Sequence, residues 1–344
     1  GHLAVLQWAR EQGCYWDPST CASAAAGGHL DILQWARAQG CPWKVSTYTS
    51  AVESGHMEVI EWARAEGCPG DKWICMLAAK AGNLPLLRWA REKGCAWDAA
   101  TCTMAAETGN LEVLQWARAN GCPWQEMTFS FAARGGHMAV LDWLREGGCP
   151  WDEHTCGEAA EKGNLEVLKW ARSYNAPWNA VTLARAARWG HLEIVKWARA
   201  NGCPWDRRVT SRAARWGHLA LVAWAAENGC PWEADTPEAA ALGGHLAIVQ
   251  YAHSAGCAWD AETCASAARS GHMEVLRWAR EHGCPWDQRT CANAARGGHL
   301  AVLQWARSQG CPWDKSTWIS AADSGSVELM NWIQANRCPP SGAD

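Results

Sequence analysis

One 27-residue unit recurs along the whole chain, and it constrains the fold more than any other feature of the sequence. An array of short units escapes the size limit of a single hydrophobic core, because each unit contacts only its neighbours. The repeat therefore predicts a solenoid instead of the two or three globular domains that 344 residues would otherwise suggest. No insertion or deletion interrupts the spacing of the glycines that open the units: Gly1, Gly28, Gly55, Gly82, Gly109, Gly136, Gly163, Gly190, Gly217, Gly244, Gly271, Gly298 and Gly325.

The first half of each unit has the apolar spacing of an α-helix. In the second copy this pattern runs from residue 29 to 39, with apolar residues at Leu30, Ile32, Leu33, Trp35 and Ala36. Gly40 follows, and its equivalents are glycine in every copy except for Asn175 and Arg337. Glycine and asparagine accept the left-handed conformation that ends many helices, so we predict that the first helix stops here.

A second helix is predicted after a short Cys-Pro-Trp turn. Its start is open between two capping residues, the aspartate exemplified by Asp17 and the threonine exemplified by Thr20. Paired alanines near its end, such as Ala24 and Ala25, would let neighbouring helices approach closely. Neither helix can bury its apolar face alone, so the expected architecture is an all-α solenoid of stacked helix–turn–helix units.

The repeats are expected to form one solenoid over residues 1–338, with about 13 units and partial copies at both ends. The chain opens inside a unit and without a methionine, so we expect it to be a piece of a longer protein. Residues 339–344 contain Pro339 and Pro340 and are expected to form a disordered tail.

Histidine and cysteine occupy fixed places in the unit, and both favour structural roles over chemistry. Nine of the 12 histidines directly follow the opening glycine, where other copies have asparagine or serine, so helix capping or local hydrogen bonding is predicted and a metal site is not. The 18 cysteines lack the spacing of a zinc site. Equivalent cysteines of adjacent units should lie about 8–10 Å apart, which exceeds the limit of about 7 Å between the Cα atoms of a disulfide. We predict free, buried thiols and therefore a reducing compartment, the cytoplasm or the nucleus.

Tryptophan outnumbers the other aromatic residues, with 27 Trp against 4 Tyr and 2 Phe. Most tryptophans form two ladders, one in the first helix and one in the turn, and both ladders are predicted to fill the core. An arginine in the last turn of the first helix suits the helix dipole and is expected to stack on a tryptophan.

The stretch A-A-x-x-G-H-L-E-V-L closely resembles the ankyrin repeat. Residues Gly163 to Leu168 read G-N-L-E-V-L, and Arg269 to Leu276 read R-S-G-H-M-E-V-L. The family unit has about 33 residues, so the shorter unit here lacks the projecting hairpin finger and most of the T-P-L-H segment. The resemblance implies a protein-binding scaffold with no catalysis, no cofactor, no small-molecule substrate and no membrane contact. It also implies that the two residues after Ala-Ala line a concave binding face.

Function is expected at unit positions that vary between copies, and two adjacent copies stand out. They carry six residues that should form one contiguous partner-binding patch, because equivalent residues are 27 apart: Arg185, Arg188, Trp189, Arg212, Arg215 and Trp216. Trp and Arg are enriched in the energetic centres of interfaces. A protein partner with acidic or aromatic residues is therefore predicted, and the alternative interpretation is that one unit was duplicated together with a neutral surface.

Single-stranded nucleic acid is the alternative partner, since Arg and Trp together can form a stacking groove. Eight basic and two acidic residues give residues 180–216 a charge of +6, whereas the whole chain carries −4. The negative total argues against a surface generally coated by nucleic acid.

Overall fold

The computed structural model describes residues 1–70, 73–232 and 234–338, in which the chain forms 25 α-helices and no strand. Odd-numbered helices are the first helices of successive units, α1 to α25: Leu3–Glu11, Leu30–Ala38, Met57–Ala65, Leu84–Glu92, Leu111–Ala119, Met138–Glu146, Leu165–Ser173, Leu192–Ala200, Leu219–Glu227, Leu246–Ser254, Met273–Glu281, Leu300–Ser308 and Val327–Ala335. Even-numbered helices are the second helices, α2 to α24: Pro18–Ala26, Val45–Ser54, Ile74–Lys80, Ala99–Glu107, Glu126–Gly135, Glu153–Glu161, Ala180–Arg188, Arg208–Arg215, Asp235–Gly243, Ala261–Arg269, Gln288–Arg296 and Lys315–Ser324. The predicted all-α solenoid of helix–turn–helix units is confirmed.

A left-handed residue ends the first helices, as the sequence predicts. At the end of α3, the Cys41 N–H donates to the Ala36 carbonyl and the Gly40 N–H donates to the Arg37 carbonyl, both at 2.9 Å. Gly40 has a φ of +77°. This is the Schellman pattern, which satisfies carbonyls that the helix itself leaves unpaired.

Two residues adopt this conformation without being glycine, Asn175 with a φ of +61° and Arg337 with a φ of +56°. We expect Arg337→Gly to raise the free energy of unfolding by about 1 kcal/mol, because an L side chain is strained there. Asn175→Gly should gain less, since asparagine tolerates this conformation. Urea unfolding curves measure both changes. Gln334→Gly, at an exposed helical position nearby, is the control and should lose about 1 kcal/mol; a similar loss for Arg337→Gly would contradict the prediction.

The second helix begins after the aspartate and not after the threonine. The Asp17 carboxylate accepts a hydrogen bond from the Ser19 N–H at 2.8 Å, and Pro18 takes the first helical position. The threonine three residues beyond the aspartate instead lies inside the helix and is buried in most units, as Thr182 and Thr290 are. Thr236 and Pro237 likewise lie within α18.

Small and aliphatic residues form the core, and the prediction that the tryptophans fill it is wrong. The buried side chains of a unit are those such as Val275, Leu276 and Ala279, together with the paired alanines of the second helix. Second helices of adjacent units pack closely against each other through these alanines. The large aromatic side chains that are fully buried are Tyr48 and Phe129 of second helices, whereas no described tryptophan is buried.

The tryptophans form a half-buried layer at the turns. Trp286 in one turn meets Trp305 of the next unit edge to face, with ring centroids 6.0 Å apart. The guanidinium carbon of Arg280 lies 4.1 Å from the centroid of the Trp286 ring. The predicted stacking of this arginine is therefore confirmed, and the tryptophans connect adjacent units from outside the core.

The helices divide into two compact units, Gly1–Ala159 with Lys169–Ala176, and Ala160–Leu168 with Pro177–Asp344. The single solenoid over residues 1–338 stays a prediction. The predicted tail, residues 339–344, lies outside the described residues.

Candidate functional site

The six residues singled out from the sequence lie at the C-terminal ends of α14 and α16, in the second compact unit. The Asn179 side chain caps α14 by accepting from the Val181 N–H at 2.9 Å. Asp206 accepts from the Arg208 N–H, also at 2.9 Å, ahead of α16. We call these six residues the Arg/Trp patch: Arg185, Arg188, Trp189, Arg212, Arg215 and Trp216.

The two tryptophans of the Arg/Trp patch stack on each other. The Trp189 and Trp216 ring centroids are 6.4 Å apart, with 15° between the ring planes. These two side chains remain 52% and 48% exposed, whereas the tryptophans of the Cys-Pro-Trp turns are less exposed. The next unit has Gly243 at the equivalent position, so the stack contains two rings.

Arg188 lies across both rings of the stack. Its guanidinium carbon is 5.5 Å from the Trp189 centroid and 5.2 Å from the Trp216 centroid. Both distances are within the range of cation–π attraction, which favours arginine on an indole face. The two neighbouring repeats that contain α14 and α16 therefore share one surface, which consists of two indole rings and a guanidinium group.

Histidines of the following units bind the last carbonyls of these helices. The His218 Nε2 lies 3.0 Å from the Arg188 carbonyl oxygen, and the His245 Nε2 lies 3.1 Å from the Arg215 carbonyl oxygen. Carbonyls at a helix end lack partners within the helix. These bonds hold the ends of α14 and α16, and with them the Arg/Trp patch, against the next unit.

Of the two roles predicted for these histidines, helix capping or local hydrogen bonding, the structure shows hydrogen bonding and not capping. His218 and His245 make no side-chain hydrogen bond to the helices that they precede. Asn83 and Ser326 do cap in this way, accepting from the Leu86 and Leu329 N–H groups. The Asn110 amide at the same unit position also crosses to the preceding unit, where it donates to the Ala79 and Lys80 carbonyls.

Arg185 belongs to an ion pair that the sequence prediction missed. Its guanidinium lies 3.2 Å from the Glu161 carboxylate at the end of α12, and each side chain is 25% exposed. Equivalent residues of adjacent second helices are 27 positions apart, but Glu161 and Arg185 are 24 positions apart. The ion pair therefore joins the last residue of α12 to a residue about one turn before the end of α14. The Arg185 charge is therefore largely neutralised.

Other cations of the +6 segment are also engaged. Ion pairs of 2.7–3.7 Å join Lys196 to Glu193, Arg207 to Asp235 and Arg208 to Asp206. Arg199 lies 4.5 Å from the Trp205 ring centroid. Among the described residues, no acidic side chain is within ion-pair distance of Arg188, Arg212 or Arg215. Within the Arg/Trp patch, the structure thus leaves three guanidinium groups without a carboxylate partner among the described residues, and one of them, Arg188, lies over the indole stack.

Cysteines from different units meet in pairs, which the sequence prediction also missed. It considered equivalent cysteines, whereas Cys102 of one unit contacts Cys122 of the next, 20 residues on. The hydrogen bond between the two thiols and their burial raise the pKa of Cys122. All 18 cysteines are free and most are buried, as predicted; Cys14 is exposed and Cys257 is partly exposed.

Within residues 1–70, 73–232 and 234–338, no group of three His, Cys, Asp or Glu side chains could hold a metal ion. Across the same part of the chain, no helix has both the length and the apolar character needed to cross a bilayer.

Comparison with known proteins gives a family match over part of the chain and similarities to solved repeat proteins. Residues 158–199 match the family model for ankyrin repeats (many copies). The human ASB11 ankyrin repeat domain is 20% identical, with a TM-score of 0.36 and coverage of 46% of this chain and 84% of that one. The pentatricopeptide repeat protein PPR10, solved in complex with an 18-nt psaJ RNA element, is 15% identical, with a TM-score of 0.41. That match covers 97% of this chain and 61% of PPR10. No curated protein matches the sequence.

Proposed function

We propose that this chain, an array of ankyrin-like repeats, is a non-catalytic scaffold that binds a partner protein on the face formed by the ends of its second helices. The observation that carries the proposal is the exposed Trp189–Trp216 stack with Arg188 across both rings. By the resemblance to ankyrin repeats, this face is the concave one. All six residues of the Arg/Trp patch are proposed to contribute, Arg185 together with its partner Glu161.

Burial of the two indoles supplies the driving force for binding. A tryptophan side chain buries about 150–250 Å² when fully covered, and each of these two is about half exposed. Covering both rings would remove on the order of 200 Å² of apolar surface from water, worth ~5 kcal/mol before the costs of association. Trp and Arg are also the residue types that dominate the energetic centres of protein interfaces.

The partner is proposed to offer acidic or aromatic side chains. Arg188, Arg212 and Arg215 have no carboxylate within ion-pair distance among the described residues, so a carboxylate of the partner would gain a charge-assisted hydrogen bond. The 18 free cysteines favour a reducing compartment, the cytoplasm or the nucleus. One solenoid over residues 1–338 is proposed to present the surface.

Replacement of Arg188, Trp189, Arg215 and Trp216 by alanine tests the proposal. The variant should lose the proteins that the wild-type chain captures from its native lysate, as identified by mass spectrometry and then verified with purified partners. A matched control replaces Glu53, Ser54 and Lys80, which are exposed at the same positions of other units, by alanine and should retain them. Equal recovery by both variants would refute the role of the Arg/Trp patch.

Single-stranded nucleic acid is the second candidate, because exposed rings beside arginines can also stack on bases. Fluorescence anisotropy with a labelled oligothymidine measures this directly. Affinity that falls steeply with salt, and that disappears in the four-residue variant, would support nucleic acid in place of protein. Absence of binding at low salt would remove this candidate.

A further inference from the structure

A column of arginines extends the basic surface well beyond the Arg/Trp patch. In the second compact unit, four of the 27-residue repeats end their second helix with an exposed arginine: Arg188, Arg215, Arg269 and Arg296. None of the four has an acidic side chain within ion-pair distance among the described residues. The half-buried Leu242 of α18 takes the same position in the unit between Arg215 and Arg269.

Neighbouring helix ends in this column are in direct contact. A Cβ atom added to Gly243 would lie 2.2 Å from the Arg215 carbonyl oxygen, and one added to Gly297 would lie 2.2 Å from the Arg269 carbonyl oxygen. The helices α14, α16, α18, α20 and α22 also pack in sequence, each on the next. The four arginines and Leu242 therefore form one continuous row across five units.

The same helix position in the first compact unit is different. It holds the acidic residues Glu53 and Glu107, and its arginine, Arg134, lies 3.9 Å from the carboxylates of both Glu107 and Glu158. The row of available arginines therefore belongs to the second compact unit and is not a general consequence of the repeat.

The residues beside the row give it two different ends. The residue that follows each member of the row differs between the two ends. Trp189 and Trp216 follow the first two arginines, whereas the residues after Leu242, Arg269 and Arg296 are Gly243, Ser270 and Gly297. The indoles form a bulky apolar surface at one end. The small residues leave the rest of the row open to an approaching backbone.

We propose that this arginine row binds an extended acidic segment of the partner protein, with an acidic residue at every third position and an apolar residue facing Leu242. Packed helices lie about 8–10 Å apart, and an extended peptide in the polyproline II conformation advances about 3.1 Å per residue and returns to the same face at every third residue. One helix step therefore corresponds to about three residues of the peptide. This inference rests on the proposed function, because it assigns the chemistry of the partner that binds the same face.

The row fits a peptide better than a nucleic acid. A single strand needs an aromatic platform for successive bases, and Gly243, Ser270 and Gly297 offer none beyond the two indoles. Leu242 interrupts the row of charges at its centre, where a regular sugar–phosphate chain would still place a phosphate. An acidic segment with one central apolar residue matches this interruption.

A synthetic probe tests the spacing directly. It is a fluorescein-labelled peptide of about 13 residues with glutamate at every third position, leucine in the central place and Gly-Ser between. We expect it to bind the full chain more than about tenfold tighter than a peptide of the same composition with its glutamates clustered at one end. Equal affinities, or no binding of either peptide at low salt, would overturn the inference.

Charge reversal tests the residues. Arg269→Glu with Arg296→Glu should weaken binding of the probe by about tenfold or more, whereas Lys80→Glu, at the same helix position in the first compact unit, should leave it unchanged. Circular dichroism verifies that both variants fold. An unchanged affinity of the double variant, or tighter binding of an oligothymidine than of the probe, would overturn the inference.

The two proposals fail separately. If the double variant still captures the native partner while the alanine variant of the Arg/Trp patch does not, the arginine row is excluded and the scaffold function stands. If both variants capture the partner fully, both proposals are refuted.

Discussion

Above about pH 9, the free energy of unfolding falls by about 1.4 kcal/mol per pH unit for each buried thiol whose pKa is raised in the folded chain. Burial raises the pKa of six such thiols to about 11 or 12: Cys21, Cys68, Cys149, Cys156, Cys230 and Cys338. An unfolded thiol ionises from about pH 8.5, so the unfolded chain releases protons that the folded chain retains. The stabilisation is complete below that pH and is lost as the pH rises toward the folded values.

Because the six losses add, the chain should unfold at moderately alkaline pH. Urea unfolding followed by circular dichroism at pH 7, 9 and 10 measures the decline. The matched variant is Cys149→Ala, at a unit position where the natural sequence has Ala176. It should reduce the pH slope by about one proton, since the pKa of Cys149 is raised to about 12 by burial. An identical slope in the variant would show that this thiol does not contribute.

Leu114→Ala is expected to lower the free energy of unfolding by about 2–5 kcal/mol. Leu114 lies in α9, is fully buried and packs beside Val113 and Ala117 between the two helix layers. Its truncation removes apolar burial and leaves a cavity that the closely packed helices cannot close. The loss should be concentrated in the units that adjoin α9, because each repeat is stabilised by its neighbours.

Gln115→Ala is the control for this prediction, since Gln115 is the next residue of α9 and is exposed. It should change the free energy of unfolding by less than about 0.5 kcal/mol. Hydrogen exchange resolves which helices lose protection in Leu114→Ala. A loss no larger than that of the control would mean that the array relaxes into the cavity.

The architecture was predictable because its determinants are local and are repeated. The end of the first helix depends only on the left-handed conformation of one residue, which glycine adopts readily. Asn175 and Arg337 adopt the same conformation in their units. The spacing of Leu33 and Ala36 within one helix is likewise a property of the helix alone. The apolar pattern over residues 29–39 therefore predicted α3, Leu30–Ala38, to within one residue at each end, whereas the start of the second helix was left open between Asp17 and Thr20.

The contacts between units were predicted less well. Tryptophan was predicted to fill the core because of its size, but the rings of the turns and of the first helices instead meet edge to face in a layer outside the core. Helix capping or local hydrogen bonding was predicted for His218, and the structure brings its imidazole to the Arg188 carbonyl of the preceding unit. In both cases the residue type was assessed correctly as structural, and its partner was not.

The sequence by itself therefore determined the repeat, the helices, the left-handed residue that ends each first helix and the resemblance to ankyrin repeats, and it predicted the six residues of the Arg/Trp patch. Only the tertiary structure decided which of their charges are available, since Glu161 neutralises Arg185 while Arg188 lies across two stacked indoles. It also brought Cys102 to Cys122 and aligned the arginines of successive helices. The physical reason is that helix formation depends on neighbouring residues, whereas these contacts depend on the offset at which one packed unit meets the next.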